Sequence, residues 1–233
     1  MSGKNLKNHF NDNVKEYYHS TGLYNSLIYT KNPTNENLTT EEKVSNLFKK
    51  IKKFSSKYRN SKSNIILSNK KYNSDIMILG DMPSQEDIKN NTLFSDESGK
   101  LLTKMLEAIS ININEVYLSN ILHFNLAKED EKNIKKYESL LKKITQEHIA
   151  IINPKIIFLL GSFPLQILFG KDYSISQKRG QWIPYVFAEK SIETISSFHP
   201  SFLIRQPNQK KNSWLDLQLL QKKIKEIKSL DNA

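Results

Sequence analysis

Asp75-Ile-Met-Ile-Leu-Gly80-Asp81-Met-Pro-Ser-Gln-Glu-Asp87 begins as an unbroken apolar run and breaks, at a glycine, into a polar loop. A short continuous apolar run bounded by a turn residue reads as a strand covered on both faces. Lys155-Ile-Ile-Phe-Leu-Leu160-Gly161 repeats the pattern and is the most plainly buried strand in the chain. Residues 116–119 and 192–198 supply two more such strands. Helical spacing fills the intervals. Leu101, Leu102, Met105, Leu106 and Ile109 mark a helix preceded by Gly99, and residues 130–152 form a long one facing inward through Ile134, Tyr137, Leu141, Ile144, His148 and Ile151. A short helix runs through 165–169, and an amphipathic helix over 214–227 closes the chain. Residues 177–187 read as a loop or hairpin around Arg179-Gly180. Strands alternating with helices imply parallel pairing through right-handed crossovers. The expected fold is therefore α/β: a three-layer α/β/α arrangement with a central, mostly parallel four-stranded sheet.

Working outward, Thr39, Thr40, Glu41 and Glu42 make a helix start. Val44, Leu47, Phe48, Ile51 and Phe54 follow on one face, with Lys49, Lys50, Lys52 and Lys53 on the other. That basic face is either plain solvated surface or a contact for a polyanion. Residues 1–40 are polar, with a possible helix over 13–24, and are expected to be a partly ordered extension of a domain covering 41–230.

The 233 residues carry a formal net charge of +11 and no cysteine. Zero cysteines exclude disulfides, thiolate nucleophiles and Cys-ligated zinc or iron–sulfur centres built from this chain. The five histidines lack the paired spacing of a metal site. The positive balance fits a nucleic-acid partner, or a compositional bias toward Lys, Asn and Ile. Residues 43–71 hold ten Lys and Arg and no Asp or Glu, a local excess that bias alone explains less well. No apolar run approaches the roughly 18 residues that span a bilayer, and the first ten residues lack the apolar core of a signal peptide. A cytoplasmic, nucleoid-associated protein with no membrane partner is expected.

In open parallel sheets, ligands bind beyond the carboxyl ends of the strands. Three polar segments lie there: 80–87, 116–120 and 199–205. Gly80 lets the backbone turn tightly, and Asp81 places a carboxylate at the cleft mouth. Asn120 offers a donor and an acceptor in one plane, as the edge of a polar planar ligand requires, although a strand-ending Asn is also an ordinary turn residue. Phe94, in the loop before a helix, is placed either to stack on a base or to plug the core. His199 ends a strand before Pro200. Phe202-Leu203-Ile204-Arg205 then reads as a loop whose apolar residues either wedge into a base stack or pack inward.

In order along the chain, these segments resemble the family 4 uracil-DNA glycosylases, the bacterial and archaeal iron–sulfur type. That family reads Gly-Glu-x-Pro-Gly-x-x-Glu-Asp, Pro-Phe-Val-Gly-x-x-Gly-x-Leu-Leu, Tyr-Ile-Thr-Asn, Pro-Lys-Val-Ile-x-x-Leu-Gly and His-Pro-Ser-Tyr-Leu-Leu-Arg. Here the matching segments are 80–87, 93–102, 117–120, 154–161 and 199–205. The resemblance implies a DNA repair hydrolase that removes uracil by base flipping, acting as a monomer on single- and double-stranded DNA. It implies catalytic roles for Asp81 and His199. Gly80, Met82, Phe94 and Asn120 would bind the base, and Ser84, Arg179, Ser201, Leu203 and Arg205 would bind DNA.

The chain departs from the family in four places. The cluster-binding cysteines are missing, their positions falling near Ser56 or Lys57, Phe124 and Leu141, so no cofactor is expected. Asp81 is one methylene shorter than the family Glu, and Ser84 replaces a Gly. Ile121 to Lys128 replace a basic, Pro-rich segment, and the Arg-rich, His-containing insertion of a covalently trapping relative is missing there, so His123 is a poor candidate for trapping. A degenerate DNA-binding relative, or a glycosylase for hypoxanthine or xanthine, are the alternatives.

Overall fold

The computed structural model describes residues 38–55, 64–126, 134–187 and 190–231. The expected extension over 1–40, apart from its last three residues, lies outside these, as do Ser56, Lys57 and Lys128. The elements run α1 (Thr40–Ser55), β1 (Ile76–Gly80), α2 (Gln85–Asn90), α3 (Glu97–Glu107), β2 (Tyr117–Asn120), α4 (Glu138–Ile152), β3 (Ile156–Leu160), α5 (Ser162–Phe169), α6 (Ile175–Lys178), β4 (Ile183–Phe187), β5 (Lys190–Ser197), α7 (Pro200–Arg205) and α8 (Lys210–Asp231).

The strands form one sheet in the order β2-β1-β3-β5-β4. The first four are parallel, with Gly80 opposite Asn120 and Leu160 opposite Ser197. Five strands stand where four were expected. The additional strand is β4, which pairs antiparallel with β5 and occupies the edge, with Pro184 opposite Glu193. A proline lacks the amide donor of a ladder and is tolerated at an edge, which is why 183–187 resembled a loop in sequence.

Alternation along the strands divides the core into two apolar layers. Met77 and Leu79 of β1 join Ile157 and Leu159 of β3 on one face, under α1, α4 and α5. Ile78, Phe158 and Leu160 point to the other, under α3, α7 and α8. Covering both faces makes these strands apolar at every position, the pattern visible in the sequence.

Several boundaries differ from expectation. Gly99 lies inside α3 rather than before it. The described part of the 130–152 helix begins as a 3-10 turn over Ile134–Tyr137 before α4. Within α4, Ile149 and Ile152 are fully inward, whereas Ile151 is half-buried. The closing helix is longer at both ends. The Ser201–Arg205 segment is not a loop: His199 and Pro200 start α7 there.

Helix α1 is fixed by a reciprocal cap. Glu42 N donates to Thr39 Oγ1 at 3.2 Å, while Thr39 N donates to Glu42 Oε2 at 2.7 Å. Thr39→Ala is expected to lower unfolding stability by about 1 kcal/mol, read as a shift in the urea midpoint at constant slope. The lysine face of α1 is exposed, with Lys50 paired to Glu147 of α4 at 2.5 Å. At that exposure the pair adds little to stability. Among the described residues no helix is long and apolar enough to cross a membrane.

Candidate active site

Each strand of the parallel portion delivers one part of the site at its carboxyl end. β1 ends in Gly80 and Asp81, β2 in Asn120, β3 in Gly161, and β5 leads through Phe198 to His199. Because Gly80 lies opposite Asn120 in register, the two tips are neighbours. A Cβ on residue 80 would lie 2.4 Å from Asn120 Oδ1 and 2.9 Å from Phe94 Cζ. Only a glycine leaves the Asn120 amide and the edge of Phe94 free to meet there. Phe94 also approaches His199, with ring centroids 6.5 Å apart and planes inclined by 30°.

On the other side, Gly161 adopts φ +96°, a backbone region that side-chain-bearing residues rarely enter. A Cβ at 161 would be 3.2 Å from His199 Cβ and 3.5 Å from Asp81 Oδ1. Gly161 therefore floors the gap between the carboxylate and the imidazole. In sequence Gly161 ends a strand and a segment that resembles the family, and a glycine at a strand tip of the same sheet is the signal for this further role.

Two polar atoms in this cleft are sealed from solvent without a hydrogen-bond partner: Asp81 Oδ1 and Asn120 Oδ1. Buried polar atoms are rarely left so, and such exceptions mark strain or a ligand contact. Burial pushes the Asp81 carboxyl up to about 7. His199 moves oppositely: burial lowers it to about 4, with Asp96 opposing and Arg205 reinforcing the shift. Its imidazole is therefore neutral at pH 7. Nδ1 caps α7, accepting from Ser201 N at 3.2 Å and lying 2.8 Å from Ser201 Oγ. A backbone N–H can only donate, so Nδ1 is the unprotonated nitrogen and the ring proton resides on Nε2.

The remaining expected site residues are placed differently. Met82 packs partly against the apolar layer shared with Met77 and Leu79. Ser84 is the N-cap of α2, its Oγ accepting from Asp87 N at 3.0 Å while Asp87 Oδ2 accepts from Ser84 N at 3.0 Å. A serine where the family has glycine thus has a local structural role. Arg179 makes a fork to Asp216, at 3.0 Å to Oδ2 and 2.6 Å to Oδ1, and also donates to Asn212 O. Ser197 Oγ donates to the same carboxylate at 2.7 Å. Gly180 lets this network close, since a Cβ there would be 2.5 Å from Asp216 Oδ1. The guanidinium fastens α8 to the segment after α6, Ser197 ties the same carboxylate to the end of β5, and Arg179 is occupied in doing so. Leu203 is fully buried in the layer beneath α3 and α8, and it is Ile204 that is exposed, with Arg205 beside it. A helix begun by Pro200 turns residue 203 inward and 204–205 outward.

His123 is 3% exposed, and burial lowers its imidazole to about 3. It faces His148, ring centroids 5.7 Å apart, which in turn bonds Tyr117 Oη at 2.6 Å. These groups lie in the core.

An iron–sulfur cluster needs thiolates, and the chain has none. Among the described residues no group of His, Asp and Glu is arranged to hold a metal ion. Phe124 and Leu141, near two of the family's cysteine positions, are buried in one apolar layer. Phe54 meets Phe124 edge-on at 6.2 Å and Tyr137 at 5.7 Å. The residues present do not fit such a cluster.

The family model for the uracil DNA glycosylase superfamily matches residues 68–222. A type-4 uracil-DNA glycosylase of Thermotoga maritima is 28% identical over 146 residues, covering 62% of this chain and 74% of that protein. The type-4 uracil-DNA glycosylase of Sulfurisphaera tokodaii is 28% identical over 164 residues, covering 67% and 70%. That of Archaeoglobus fulgidus is 24% identical over 137 residues, covering 57% and 68%.

Proposed function

Because this chain belongs to the uracil DNA glycosylase superfamily, we propose that it hydrolyses the bond between uracil and deoxyribose in DNA. The observation that carries this reading is Asn120 Oδ1: a buried acceptor without a donor, beside the edge of a flat ring. Uracil presents an N3–H donor to such an acceptor. Cytosine presents a bare N3, which would leave acceptor facing acceptor, and a mispaired buried group is how polar pockets reject analogues.

The nucleotide leaves the stack at a cost of a few kcal/mol. Phe94 stacks on the ring and Asn120 reads its polar edge. The glycosidic bond breaks with its electron pair passing to the base, so negative charge gathers on uracil O2, where His199 Nε2–H donates. Asp81, ionised, holds a water below C1′ and balances the positive charge growing on the sugar. The water oxygen bonds to C1′ and its proton passes to the Asp81 carboxylate; the uracil anion leaves and takes a proton from solvent while Asp81 releases its own to solvent, giving free uracil and an abasic site. Ser201 and Arg205 are assigned to the phosphate backbone, and the exposed Ile204, rather than Leu203, fills the gap left in the stack. Arg179 and Ser84 are given scaffold roles.

Strand scission by alkali after incubation with a labelled oligonucleotide carrying one uracil tests the reading. The parent protein is expected to cleave single- and double-stranded forms. Asn120→Ala is expected to be about tenfold slower, the scale of one hydrogen bond near 1.4 kcal/mol. Undiminished cleavage by Asn120→Ala would remove the assigned reader of the base. Absence of scission by the parent protein, with DNA binding retained, would replace the enzyme with a binding module.

A further inference from the structure

Phe94 is held in an unusual backbone state, with φ +55°, which costs a non-glycine residue of this size local strain. Two features enforce it. The first turn of α3 lies against the Phe94 backbone so closely that a Cβ on Gly99 would be 1.7 Å from Phe94 O. The second is Asp87, at the third position of α2 and 4% exposed. Its Oδ1 accepts from Ser95 N at 2.6 Å and from Ser95 Oγ at 2.9 Å, and its Oδ2 accepts from Ser84 N at 3.0 Å. Its backbone carbonyl also accepts from Thr92 N at 3.1 Å. One buried carboxylate thereby joins the loop that carries Asp81 to the peptide that immediately follows Phe94.

We infer that Asp87 is a positioning residue for base recognition, fixing the Phe94 ring at the Gly80–Asn120 notch by clamping the Ser95 amide. The inference rests on Phe94 being the stacking platform. Short charge-assisted bonds to a backbone amide are well suited to this, because they fix the peptide plane and with it the direction of the Phe94 side chain. Glycine at 99 permits the approach, and Asp87 holds it.

A double-mutant cycle separates positioning from stability. Asp87→Asn is expected to lower kcat/KM on uracil-containing DNA about tenfold in the parent background and less than about twofold in Phe94→Ala, because its effect passes through that ring. Its loss of stability to urea should be the same in both backgrounds. Equal losses of kcat/KM in both would mean that Asp87 acts only on folding, with Phe94 still the platform. A Phe94→Ala protein as active as the parent would remove the platform and this inference together.

A readout without turnover completes the test. In protein carrying 4-fluorophenylalanine at position 94, one narrow 19F line is expected, shifted and broadened by Asp87→Asn. Thr39→Ala, which removes a helix cap elsewhere, should leave the line in place. An unchanged line in Asp87→Asn would overturn the inference whatever the substrate is.

Discussion

His199→Ala is expected to lower the single-turnover rate on uracil-containing DNA by about 10²–10³-fold, the typical effect of deleting one preorganised donor to a developing oxyanion. Burial keeps the ring neutral at pH 7, its value being near 4, and the Ser201 amide forces the proton onto Nε2. The donor is therefore set before substrate arrives, and needs no proton from solvent. Alanine removes two things at once, the donor and the cap of α7. Asparagine separates them, because its side-chain oxygen can accept from the Ser201 amide as a good N-cap does. His199→Asn should match His199→Ala in rate yet recover most of the roughly 1 kcal/mol of stability that the alanine variant loses. Parent-like rates in His199→Asn would reduce His199 to a helix cap.

Asp81→Asn is expected to slow turnover by about 10²-fold or more, within the range of general-base contributions. Its second signature is in pH. Burial raises the parent carboxyl from 3.8 to about 7, so its ionised, working form grows in as pH passes through neutrality. The parent rate should rise with pH between about 6 and 8, and the residual Asp81→Asn rate should be flat there.

Stability should run the other way. Between about 4 and about 7 the native state retains a proton that the unfolded chain has released, so unfolding free energy falls as pH rises through that window. Above it the deficit is constant, roughly 4 kcal/mol for a shift of this size. Asp81→Asn, which has no charge to bury, should thus be more stable than the parent at pH 8 and nearly equal to it at pH 4. Urea titrations of both proteins at the two pH values read this directly. A gap that does not change with pH would show that Asp81 titrates as an ordinary surface carboxylate.

Much of this was legible before any coordinates. Unbroken apolar runs at 76–80 and 156–160 announced strands covered on both faces, and the polar residues just past them announced the cleft. Asp81, Asn120 and His199 were found that way because strand tips in a parallel sheet share one edge. What stayed hidden depended on dihedral angles or on helical phase. Nothing in Leu93-Phe94-Ser95 signals a positive φ at Phe94, since that state is imposed by Gly99 and Asp87 from other elements. For the apolar residues of 202–204 the sequence leaves wedging and inward packing both open, and Pro200 at the first position of α7 turns Leu203 inward. The resemblance implies DNA contact for Arg179, and its pairing with Asp216 on the closing helix is a long-range contact that no local pattern signals. β4 was lost to its proline.

The arrangement of the site across the sheet also governs when the protein can acquire it. Asn120, Gly80 with Asp81, Gly161 and His199 stand on adjacent tips in the spatial order β2-β1-β3-β5, yet each reaches its place on a separate crossover. Every neighbouring pair is a long-range contact, so the topology has high contact order and closes slowly. No fragment ending before β5 contains the imidazole, and no partly docked sheet aligns it with Asp81. On the proposed reading, a chain emerging from the ribosome therefore holds no assembled glycosylase site until the last parallel strand docks. The proposed activity would consequently report on the integrity of the whole sheet, since opening any one crossover removes a part of the site.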